Sequence, residues 1–254
     1  MAWQDKHVDK DGMVSGVLSG PARAWFLLGY DVWVLMHHFL LQPLLPRLRD
    51  IKQFQGARYE LTTYALFIPG GFKPERDAET DNASKHVEFV AHNAATGERV
   101  AVEAKSRHRP GVLGFPSAGY KSEDDPNPGI TGRLRDALEQ RRAMPYVICL
   151  ELNLPPAATR REAEAKLKLA QAEIETVTQE YSQNNEPFPA TLVVVTNYSH
   201  HYGEPDKPDP RWYQSVIQVR NPAHTFTHPD TTTQIIKALD AYGNMPKSWD
   251  VFDR

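Results

Sequence analysis

His86-Val87-Glu88-Phe89-Val90-Ala91 and Arg99-Val100-Ala101-Val102-Glu103-Ala104-Lys105 are two short runs that alternate apolar and polar residues over several positions, the period-two pattern of half-buried strands. Between them, Asn93-Ala94-Ala95-Thr96-Gly97-Glu98 supplies the Asn and Gly that turns favour. The spacing predicts a β-hairpin. Folding it about the middle of the loop sets Glu88 opposite Glu103, within a residue of register, and the two-residue repeat puts Glu103 and Lys105 on one face.

Opposed side chains on one sheet face lie roughly 5 Å apart. Two ionised carboxylates at that separation repel by about 3 to 4 kcal/mol at an effective dielectric of about 20, so the pair calls for positive charge. Lys105 supplies one unit, and a divalent cation held by oxygen ligands would supply two. Alone, Glu103-Ala104-Lys105 is a common tripeptide that an ordinary solvated hairpin also carries, with weak surface pairing of Glu and Lys. Flanking apolar runs, the opposed Glu88 and an upstream helical Glu60 favour a site over a bland polar face.

Outward from the hairpin the pattern is α/β. A helix is expected from Ile51 through Phe54, Tyr59, Glu60 and Tyr64, ending before Pro69-Gly70-Gly71. Phe72 to Ser84 reads as a polar loop whose acids, Glu75, Asp77, Glu79 and Asp81, are solvated, with Asp81 a reserve for Glu88. Gly132 to Ala143 reads as a helix, apolar at Leu134, Ala137 and Leu138 and basic at Arg133, Arg135, Arg141 and Arg142. Tyr146 to Asn153 is a buried strand, and Thr159-Arg160-Arg161-Glu162 has the form of a capping box opening a helix with its apolar stripe at Leu167, Ala170, Ile174, Val177 and Tyr181. Leu192 to Thr196 is the next strand, Tyr213 to Arg220 a further one, and Asp230 to Tyr242 a last helix closed by Gly243.

Glu60, Glu88 and Glu103-Ala104-Lys105 together resemble the PD-(D/E)xK nuclease superfamily over roughly residues 50 to 200. The resemblance implies a restriction-endonuclease-like core of helix, three-stranded antiparallel meander, helix and strand. It gives Glu88 the position usually held by Asp, Glu103 the first acid of the (D/E)xK element, Lys105 the lysine, and Glu60 the acid of the first core helix. Val87 stands where that pattern has Pro. Glu88, Glu103, the Ala104 carbonyl and Glu60 are then the expected ligands of Mg²⁺ or Mn²⁺, and Lys105 orients the attacking water. The activity implied is hydrolysis of nucleic-acid phosphodiesters, DNA favoured over RNA. The alternative is a catalytically inactive nuclease-like module for nucleic-acid binding or protein assembly.

Composition bounds the partners. Formal net charge is -3, so nucleic acid would have to meet a local basic patch. Arg107 and Arg109, directly after the catalytic strand, and Arg133 and Arg141 on the next helix are the expected phosphate contacts. Cys149, the one cysteine, lies in an apolar run, which excludes a disulfide framework and suits a cytoplasmic protein. His200-His201 reads as polar loop, because neighbours on a strand face opposite ways. There is no internal repeat, Gly-rich phosphate loop or Gly-x-Ser-x-Gly elbow.

Ala24 to Leu45 is rich in large apolar residues, but Asp31, His37, His38, Gln42 and Pro43 interrupt it, so no integral membrane segment is expected. It reads as a buried helix, or as one whose aromatic residues serve a homodimer contact. The expected division is an N-terminal helical extension over 1–49, the nuclease-like core over 50–222, and a C-terminal helix and tail over 223–254.

Overall fold

The hairpin forms in the register its alternation sets. Phe89–Asn93 runs antiparallel to Arg99–Ser106, with Phe89 opposite Val102 and Ala91 opposite Val100. Asn93 builds the turn: its side-chain oxygen accepts the N–H groups of Ala95 (3.0 Å) and Thr96 (3.3 Å). Gly97 takes φ +74°, where a side chain would be strained.

The computed structural model describes residues 4–8, 14–17, 19–38, 40–76, 87–113, 115–116, 119, 125, 127–140, 143–157, 159–198, 202, 214–218 and 225–242. In chain order the elements are β1 (Gln4–Val8), β2 (Val14–Val17), α1 (Gly20–His37), α2 (Leu45–Arg49), α3 (Phe54–Phe67), β3 (Phe72–Arg76), β4 (Phe89–Asn93), β5 (Arg99–Ser106), α4 (Ile130–Leu138), β6 (Tyr146–Glu151), α5 (Arg160–Gln183), β7 (Leu192–Thr196), β8 (Gln214–Gln218) and α6 (Asp230–Ala241), with a short 3-10 turn at Gln42–Leu44.

β3 to β8 form one six-stranded sheet in sequence order. β3, β4 and β5 make an antiparallel meander, β6 joins β5 in parallel after α4, β7 joins β6 in parallel after α5, and β8 returns antiparallel. The protein is therefore an α/β layered structure. Strand parity sorts the core into two: Phe89, Ala91, Val100, Val102, Val147, Cys149 and Val194 pack with α1, α3 and α6. Val90, Ala101, Ile148, Leu150, Val193 and Val195 pack with α4 and α5 on the other side.

Two elements differ from the pattern reading. Phe72–Arg76, expected as loop, is the first strand of the meander, with Phe72 and Pro74 buried and Lys73, Glu75 and Arg76 exposed. It is a sheet edge, where a proline and outward charges are tolerated and so disguise a strand. The N-terminus adds a two-stranded β1–β2 pair that no sequence signal announced. α1 packs on the sheet, one of the two uses expected of it: Leu27, Val34 and Leu35 share the α3 core, and the buried Asp31 accepts hydrogen bonds from Arg58 (2.5 Å), Thr62 (3.0 Å) and Tyr242 (2.7 Å).

Candidate active site

The register that pairs β4 with β5 carries on one residue past the ladder, and there the backbone N–H of Glu88 donates to the Glu103 carboxylate at 3.3 Å. Glu88 is fixed on its other side too, because Tyr64 on α3 donates its hydroxyl to the Glu88 carbonyl at 2.9 Å and stacks on Phe89. Lys105, two residues along the same face of β5, places its ammonium 2.5 Å from Glu103. Glu60 arrives from α3, 28 residues upstream of Glu88, and its charge bears on the Glu88 carboxyl. The four residues that the sequence singled out thus converge where β4 begins and β5 ends.

Electrostatics follow from the crowding. Burial, then the charges of Glu60 and Glu103, push the Glu88 carboxyl up to about 9. Glu88 and Glu103 are both held back from ionising by burial, which added positive charge would offset. Burial also raises Glu103, offset by the Lys105 ammonium and by the Glu88 N–H. Arg47 on α2, a residue sequence reasoning passed over, pairs with Glu60.

All-oxygen carboxylate donors short of positive charge fit Mg²⁺ or Mn²⁺ in kind. Among the described residues, however, no three His, Cys, Asp or Glu side chains stand as a preformed ligand set. Glu60 is engaged by Arg47 and Glu103 by Lys105. Gathering the three glutamates round one ion requires those cations to move aside. The Ala104 backbone lies within the β5–β6 ladder, opposite Cys149.

Among the described residues, the expected phosphate-binding arginines Arg107, Arg109 and Arg133 each have protein partners. β5 ends at Ser106, so Arg107 and Arg109 do not share a strand face. Arg109 is only 1% exposed and spends its donors on the carbonyls of Asp125 (2.9 Å) and Asn127 (3.1 Å). Its guanidinium is an internal brace between Asp125 and Asn127, ahead of α4. Arg107, partly buried, pairs with Asp125 and donates to the Asn127 carbonyl. Arg133 donates to the Pro128 carbonyl at 2.9 Å, and burial, then the charges of Arg107 and Arg109, lower its guanidinium to about 10. Arg141 lies outside the described residues, as do Asp77, Glu79, Asp81, His200, His201 and Gly243.

A buried polar lattice ties this loop to the sheet. Gln55 on α3 accepts the Arg109 N–H (2.9 Å) and donates to the carbonyls of Arg109 and Val112 (2.8 and 3.0 Å), while Asn153 donates to Gln55 and to the Arg107 carbonyl. Glu151, at the end of β6, accepts from Thr196 (2.6 Å), the Tyr198 N–H (2.8 Å) and the Asn153 N–H (3.2 Å); burial pushes its carboxyl up to about 7. Cys149 is buried, and burial and Glu103 push its thiol up to about 12, which leaves it an inert core residue. Gln55, Asn153 and Glu151 were missed because their meaning lies in long-range contacts; their local sequence carries no motif.

Comparison with protein-family models, with curated proteins and with solved structures finds no match to this chain.

Proposed function

We propose that the protein is a metal-dependent nuclease of the PD-(D/E)xK type, with a restriction-endonuclease-like core built from α3, the β3–β4–β5 meander, α4 and β6. The single observation that carries this reading is the convergence of Glu60, Glu88, Glu103 and Lys105, drawn from a helix, a strand entry and a strand, into one buried carboxylate cluster with a lysine on it. The element order α3, β3, β4, β5, α4, β6 supports it.

Glu88, Glu103 and Glu60, with the Ala104 carbonyl, would hold Mg²⁺ or Mn²⁺, which supplies charge for the phosphoryl oxygen and a more acidic bound water. The residues do the rest. Lys105 lies at the mouth of the cluster, its side chain 25% exposed, where its ammonium orients the attacking water and steadies negative charge growing on the phosphate. Tyr64 and the Glu88 N–H fix the two strand acids, so their positions do not depend on substrate. DNA is the favoured substrate, in a cytoplasmic setting.

Purified protein given a panel of single- and double-stranded DNA and RNA should cut with Mg²⁺ or Mn²⁺ and stop with EDTA. Lys105→Ala should abolish cutting while the protein stays folded at the assay temperature, checked by circular dichroism. Equal cutting by Lys105→Ala and wild type would remove the assignment.

A further inference from the structure

A glutamate whose side chain is only 7% exposed, as Glu60's is, needs a partner, because an unpaired buried carboxylate costs several kcal/mol. Its neighbour Glu88 is another acid and brings no positive charge. The positive charge comes from Arg47, reached from α2 across the face of α3. That path passes Gly56, one helical turn before Glu60, where an added Cβ would lie 4.0 Å from the Arg47 guanidinium. Arg47 itself remains 39% exposed, so its head can leave for solvent without unpacking the core. Beside the pair a cavity of about 110 Å³ is lined by Leu40, Pro43, Leu44, Glu60, Tyr64 and Arg76.

We propose that Arg47 is an internal counter-cation that holds Glu60 in the metal-free protein and competes with a divalent metal for that carboxylate. Binding of the ion exchanges one cation for another at Glu60, and the freed guanidinium swings out at the rim of the cavity, where its planar fork suits a substrate phosphate oxygen. The inference rests on reading Glu60, Glu88 and Glu103 as a metal site, and adds what keeps that site assembled when the metal is away.

Calorimetric titration with Mn²⁺ alone tests it, on the full chain as wild type, Arg47→Met, Glu60→Gln and the double variant. Loss of the competitor should tighten Mn²⁺ binding about tenfold in Arg47→Met, the scale of one partly buried ion pair. The gain should vanish when Glu60→Gln is already present, since no carboxylate is left to compete for. Arg47→Gln serves as the second variant if Arg47→Met melts abnormally. Unchanged or weaker binding in both Arg47 variants overturns the proposal and leaves the nuclease reading standing. An equal gain with and without Glu60→Gln also overturns it, because Arg47 would then act as a remote charge. If no variant binds Mn²⁺, both readings fall.

Discussion

Metal binding should expel a proton. At about pH 7.5 a carboxyl pushed up to about 9, as Glu88 is by burial and by Glu60 and Glu103, keeps its proton in most molecules, and a bound ion needs the ionised form. Mn²⁺ binding near pH 7.5 should therefore release about one proton, and the binding constant should rise about tenfold per pH unit until it flattens near pH 9. The sign is fixed by the direction of the shift: protons compete with the metal below the raised pKa and not above it. Calorimetry in two buffers of different ionisation enthalpy measures the release directly, as the slope of observed heat against buffer heat. Equal heats in both buffers, with an affinity flat from about pH 7 to pH 9, would refute the reasoning, because Glu88 would already be ionised and the cluster not starved of positive charge.

Two further outcomes concern the frame. Arg58→Met strands the fully buried Asp31 without its guanidinium and should cost about 3 to 5 kcal/mol, read by thermal or urea unfolding; Asp31→Leu added to it should recover most of the loss. Arg109→Met should lower the melting temperature by about 5–10 °C, as expected for roughly 2–4 kcal/mol lost from a buried donor set in a chain of this size, and should leave metal affinity unchanged. A normal melting curve with weakened nucleic-acid binding would return Arg109 to the substrate surface.

Much of the candidate site was legible in the chain because its information is local. Alternation over Phe89–Val90–Ala91 and Val100–Ala101–Val102 fixed which side chains share a face, and Asn93 with Gly97 fixed the turn, so the pairing of Glu88 with Glu103 needed no long-range knowledge. The Thr159 cap behaves as its pattern suggested, accepting the Glu162 N–H at 3.2 Å. β3 escaped notice because an edge strand is allowed Pro74 and a run of charges.

For the arginines, local reading stopped short of the surroundings. A guanidinium looks the same in sequence whether it meets solvent, a phosphate or a buried carbonyl. Arg107 and Arg109 after the lysine strand suggested an open basic patch, yet Arg109 is sealed inside, braced on Asp125 and Asn127 and latched through its backbone to Gln55 on α3. Arg47, unremarked in the sequence, pairs with the glutamate at the heart of the cluster.

By itself, then, the sequence determined the α/β alternation, the hairpin register and the shared face of Glu103 and Lys105, because periodicity and turn chemistry act over a few residues. Only the tertiary structure decided that Glu60 reaches Glu88, that Arg47 covers Glu60 and that Arg109 is a brace. Those outcomes depend on which elements pack together, and charge in a protein takes its meaning from the partner and the burial that packing provides.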